Sequence, residues 1–85
     1  MATKTVTVGS TVGLHARPAA LIAQAASAAS SPVTLVKDGK GPIDAGSALL
    51  IMTLGAQCGD EVTVESDDEA LLAEIAGLVE QNLDD

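Results

Sequence analysis

Not one Phe, Tyr or Trp occurs among the 85 residues, so any core must be assembled from Val, Leu, Ile, Met and Ala. At this length one hydrophobic core is barely sufficient for folding, which makes residues 1–85 a single domain and leaves no room for a second. The apolar share of 47% is ordinary for a globular protein, and an aliphatic core this thin implies modest stability. A lone cysteine, Cys58, excludes an internal disulfide, and one His with one Cys is too few for a structural zinc site. Cys58 reads as a small, partly buried filler in a reducing compartment.

Twelve carboxylates against four Lys and Arg give a formal charge of −8. A field of that sign repels nucleic-acid phosphates, so protein partners are the better expectation. The apolar stretches are too short and too interrupted to cross a bilayer, and the first residues lack the apolar run of a signal peptide. The expectation is a cytoplasmic protein.

Element order follows from periodicity. Lys4 to Val8 alternates Thr with Val, the period of a strand with one buried face. After a Gly/Ser/Thr connection, Leu21, Ile22, Ala25, Ala26 and Ala29 recur at helical spacing, and Pro18 falls in the first turn, where its missing N–H costs nothing. Pro32 to Lys37 reads as a second strand. Asp38-Gly39 then signals a two-residue hairpin into a short strand over Lys40 to Ile43, which Pro42 confines to a sheet edge. Ser47 to Leu54 is a short apolar helix with Ser47 as N-cap and Gly55 as its stop. Asp60 to Glu65 alternates again, with Val62 and Val64 on one face. A final helix runs from Asp67 to about Leu83, with Ser66 and Glu69 as a capping box and Leu71, Leu72, Ile75, Leu78 and Val79 as the buried stripe. Gly77 inside it is unexplained, and Asp84-Asp85 is expected to fray. The resulting order, β-α-β-β-α-β-α, gives an α+β open-faced sandwich: a four-stranded, mainly antiparallel sheet with three helices on one face.

Architecture of this kind hosts many functions, so function has to come from a site. In Gly13-Leu14-His15-Ala16-Arg17-Pro18-Ala19 the only histidine stands where a Gly-containing loop enters a helix. The free N–H groups of a helix start favour an anion and disfavour imidazolium, keeping the ring neutral and nucleophilic. Arg17, the only arginine, supplies a planar cation able to bond phosphate oxygens. Taken alone, a histidine at a helix start is more often a cap or a surface residue, and a lone arginine a solvated charge.

The same seven residues resemble the active-site signature of the HPr family, the histidine phosphocarriers of the bacterial phosphoenolpyruvate:sugar phosphotransferase system, and match it at every position. The likeness extends to the length, the element order and the segment Ser47 to Gly55. It implies a carrier that is a substrate of phosphotransferases and no enzyme itself, that is monomeric, and that needs neither cofactor nor metal. By the same likeness, His15 accepts a phosphoryl group through Nδ1 from phosphorylated enzyme I and passes it to enzyme IIA domains of sugar transporters. Arg17 would steady the phosphoryl group and Pro18 would set how the chain enters the helix. Both partners would dock on Ala16, Ala20, Gln24, Ala48 and Met52. Ser47 matches the serine that an HPr serine kinase/phosphorylase modifies in many Gram-positive members, although Gly46 and Ala48 stand where other members often carry bulkier or basic residues. A nitrogen-regulation phosphocarrier or a carrier dedicated to one sugar would share His15 and Arg17. A regulatory module that binds proteins without carrying phosphate would have no need of that pair, and a metal chaperone would need a soft-ligand pair that a lone Cys and a lone His do not supply.

Overall fold

The computed structural model describes residues 2–10, 13–14, 16–29, 31–37 and 39–81. Along the chain run β1 (Ala2–Thr7), α1 (Ala16–Ala28), β2 (Val33–Lys37), β3 (Lys40–Asp44), α2 (Ala48–Thr53), β4 (Glu61–Ser66) and α3 (Glu69–Glu80). The strands form one sheet in the order β1-β4-β2-β3, and each neighbouring pair is antiparallel. The expected element order and open sheet are therefore observed.

Alternation decides which sheet face is covered. Val6 lies opposite Val62, Leu35 opposite Val64, and these four with Val33 are buried. The intervening Thr3, Thr5 and Thr7 are exposed on the other face, where the Thr5 and Thr63 hydroxyls share a hydrogen bond of 2.9 Å. Against the apolar face lie α1, through Ala19, Ile22, Ala23 and Ala26, and α3, through Leu71, Leu72, Ile75, Ala76 and Val79. Small alanines let α1 sit close to its neighbours without the volume an aromatic core would supply.

Two buried stripes are rotated from those expected. In α1, Ala19 and Ala23 go inward while Leu21 is 37% exposed. In α3, Ala76 takes a fully buried position and Leu78 is only partly covered. The start of α3 also differs. Asp68 caps it, accepting the Ala70 and Leu71 N–H groups at 3.0 and 3.2 Å. Ser66 is instead the last residue of β4 and fully buried; its hydroxyl donates to the Pro32 carbonyl (3.0 Å) and accepts the Asp68 N–H (3.2 Å). The expected capping box fails because Ser66 is held by the sheet. Leu83, Asp84 and Asp85 lie outside the described residues.

The other punctuation holds. β3 is a sheet edge, as Pro42 requires. Lys37 pairs with Lys40 across the two-residue connection, of which Asp38 lies outside the described residues. Ser47 caps α2 by accepting the Leu50 N–H at 3.3 Å. Gly55 follows the Leu54 C-cap at φ +66°, a left-handed conformation that glycine adopts without cost and other residues resist.

Candidate functional site

The segment before α1 is built backward from its anchors. Leu14 is almost fully buried, and its N–H donates to the Ala56 carbonyl at 2.9 Å. Gly13 has φ +76°, and a Cβ there would collide with that same Ala56 carbonyl. Glycine is thus required twice, for the backbone angle and for the close approach. The Gly13 N–H closes the loop on the Ser10 carbonyl at 2.9 Å. His15 itself lies outside the described residues; the chain is fixed at Leu14 before it and resumes as helix at Ala16.

Within the first turn of α1, Arg17 is exposed and Pro18 is buried. Among the described residues, no carboxylate lies within ion-pair reach of Arg17. Neither α1 nor α2 contains an acid, and the twelve carboxylates all follow residue 37 in the sequence. Arg17 is therefore the only charged side chain on these two helices. An anion approaching the start of α1 would meet the Arg17 cation and the N–H groups of the first helical turn, with no acid on α1 or α2 to repel it.

Helices α1 and α2 pack against each other, and hydrogen bonds fix which ends meet. The Leu14–Ala56 bond joins the start of α1 to the exit of α2. At the opposite end, the Ser27 hydroxyl donates to the Gly46 carbonyl at 3.1 Å. The two helices are consequently antiparallel, and Ser47 lies at the end remote from Arg17. Six helical residues separate the two ends of α2, or about 9 Å of rise. The structure does not bring Ser47 into the neighbourhood of Gly13, Leu14 or Arg17.

Of the five residues expected at a docking surface, Ala16, Ala20 and Gln24 form an exposed i, i+4, i+8 stripe on α1, whereas Ala48 and Met52 are partly buried. Among the described residues the large exposed apolar side chains are others: Leu21, Leu49 at 69% and Leu50 at 40%. Sequence reasoning missed them. The signal was present, because a six-residue helix covers one stripe and Leu49-Leu50-Ile51-Met52 cannot all face inward. Cys58 is exposed in the turn after α2, which corrects its expected role as partly buried filler; the Cys58-Gly59 turn reaches outward from the anchored Ala56.

A family model described as the PTS HPr component phosphorylation site matches residues 2–81. The chain belongs to the HPr family of phosphotransferase-system phosphocarriers. Among similar proteins, the phosphocarrier protein HPr of Streptomyces coelicolor is 43% identical, covering 100% of this chain and 95% of the relative. The phosphocarrier protein HPr of Treponema pallidum is 42% identical over 100% and 99% of the two chains. In three dimensions the crystal structure of HPr-C-His from Thermoanaerobacter tengcongensis superposes with a TM-score of 0.89 at 35% identity, covering 100% of this chain and 98% of that one. HPr membership accounts for the open sheet and for the motif at the start of α1 together.

Proposed function

We propose that this HPr protein carries its phosphoryl group on His15, taking it from phosphorylated enzyme I and passing it to enzyme IIA domains, as a monomer in the cytoplasm. The observation that supports this most is the arrangement around position 15: a buried, hydrogen-bonded Leu14 on one side and the start of α1 with exposed Arg17 on the other. In each transfer the Nδ1 lone pair of the accepting ring attacks phosphorus while the P–N bond of the donor breaks and returns its electron pair to the donor ring. One phosphoramidate replaces another, so little driving force has to be supplied. What the protein contributes is alignment of the ring and stabilisation of the oxygens by Arg17 and the N–H groups of the first helical turn. Pro18, buried in that turn, holds the direction in which the helix leaves the loop.

Docking is assigned to α1 and α2, through Ala16, Ala20, Gln24, Ala48 and Met52 together with exposed Leu21, Leu49 and Leu50. Phosphorylation of Ser47 by a serine kinase/phosphorylase would then act on docking, because Ser47 stands at the far end of α2 from Arg17. A dianion beside this apolar surface must be desolvated when a partner covers it.

The test is incubation with phosphoenolpyruvate and enzyme I, followed by localisation of phosphate by mass spectrometry under non-acidic conditions. Label is expected on His15, lost in acid and stable in base, and absent from a folded His15→Ala variant. Stable labelling of that variant overturns the assignment. Ser47→Asp should slow transfer with an unchanged melt; an unchanged rate removes Ser47 from the docking surface.

A further inference from the structure

The loop that delivers the chain to α1 leans on residues 56–60 at both of its ends. At its beginning, Val8 donates to the Asp60 carbonyl (2.8 Å) and accepts from the Gly59 N–H (3.0 Å). At its end, Leu14 donates to the Ala56 carbonyl. The supporting turn is closed twice: the Asp60 N–H donates to the Gln57 carbonyl at 2.9 Å, and the Gln57 N–H donates to Asp60 Oδ2 at 2.9 Å.

That last bond acts on one particular peptide unit. The Gln57 N–H and the Ala56 carbonyl belong to the same planar amide. Asp60 holds its N–H side, and Leu14 bonds its oxygen side. A carboxylate accepting from an amide N–H makes a charge-assisted hydrogen bond, and it polarises the unit so that the carbonyl becomes a better acceptor for Leu14. It also fixes the tilt of the plane, hence the direction in which the Leu14 N–H must point. Lys37 Nζ, on a side chain only 11% exposed, lies 3.6 Å from the same Oδ2 and steadies the carboxylate from β2.

We propose that Asp60 is a positioning residue for phosphoryl transfer, orienting the Ala56–Gln57 amide that holds Leu14 immediately before His15. The inference rests on the phosphocarrier reading of His15. Asp60 touches neither phosphate nor ring; it sets where the backbone leaves the core one residue ahead of the reacting group. Errors of an ångström in a reacting geometry cost up to about a hundredfold in rate, and a displacement relayed through two hydrogen bonds is smaller.

The experiment compares wild type, Asp60→Asn and Asp60→Ala. Asparagine keeps a neutral, weaker acceptor for Gln57; alanine keeps none. Transfer from phosphorylated enzyme I is followed across carrier concentrations, thermal melts define the folded fraction, and amide NMR signals of Leu14 and Ala16 are compared. Expected are turnover losses of about threefold for asparagine and about tenfold for alanine at unchanged KM, with the Leu14 amide proton moving upfield in the same order. Should the alanine variant not fold, the asparagine variant decides alone, by its threefold loss and its Leu14 shift. Wild-type turnover and an unmoved Leu14 signal in the asparagine variant overturn the proposal, as does a loss that falls on KM or follows the unfolded fraction. Failure of wild type to label at His15 would instead strike the carrier reading, so the two failures are told apart.

Discussion

Helices α2 and α3 are both capped by a side-chain oxygen, yet they divide their apolar residues in opposite ways. Over twelve residues α3 turns Leu71, Leu72, Ile75, Ala76 and Val79 inward, and it carries Glu69, Glu74 and Glu80 on its other sides. Over six residues α2 buries Ile51 alone and presents Leu49 and Leu50 to solvent, with no charged residue in the helix itself. A helix that serves only the fold pairs a buried stripe with a charged one. A helix that leaves leucines uncovered in a small domain keeps part of its hydrophobic surface for association. The contrast fits α3 to stability and is what the proposed docking role of α2 would require.

The sharpest way to break that division is in α3. Ile75 is fully buried, and Ile75→Ala should lower unfolding free energy by about 3 kcal/mol in urea titrations, while transfer by the fraction still folded remains near wild type. A variant of unchanged stability would show that α3 is less central than its burial implies. On α2 the effects should exchange places. Leu49→Ser should weaken docking about tenfold, or about 1.4 kcal/mol, read as a higher KM for enzyme I. Its stability should stay within about 0.5 kcal/mol of wild type because the side chain is already in water. Equal losses in both readouts would return Leu49 to the core. The smallest effect sharpens the account of α3 itself. A Cβ at Gly77 would touch nothing within 4 Å, so Gly77→Ala should raise stability by about 0.5–1 kcal/mol, seen as a higher melting temperature. Nothing in the structure explains why glycine stands there.

Most of the fold was legible because its signals are local. Thr/Val alternation, the two-residue connection before Lys40, the Ser47 cap and the Gly55 stop each depend on a few neighbouring residues. The faces of α1 were harder to read, since in an alanine-rich helix Ala19 and Ala23 can fill the buried stripe as readily as Leu21, and periodicity does not say which side the sheet selects. Ser66 looked like a cap because nothing local announces that the Pro32 carbonyl claims its hydroxyl. The motif from Gly13 to Ala19 was legible as a motif. Its support was not: the bonds from Leu14 to Ala56 and from Val8 to residues 59 and 60 run between backbone groups about forty to fifty residues apart, and backbone groups leave no mark in side-chain pattern.

The placing of β4 has a consequence for the order in which this molecule can come into being. β4 is the sixth of seven elements along the chain, yet it lies between β1 and β2 and bonds to both. A chain emerging residue by residue can form the β2–β3 hairpin early, but β1 has no sheet partner until residues 61–66 arrive. Until then the apolar sides of β1 and α1 have no complete surface to close upon. Assembly therefore waits for the late segment and then involves the whole length at once, through contacts that are distant in sequence and slow to find. β4 works as a keystone set last, which makes the partly synthesised chain, rather than the finished one, the form most dependent on protection from its surroundings.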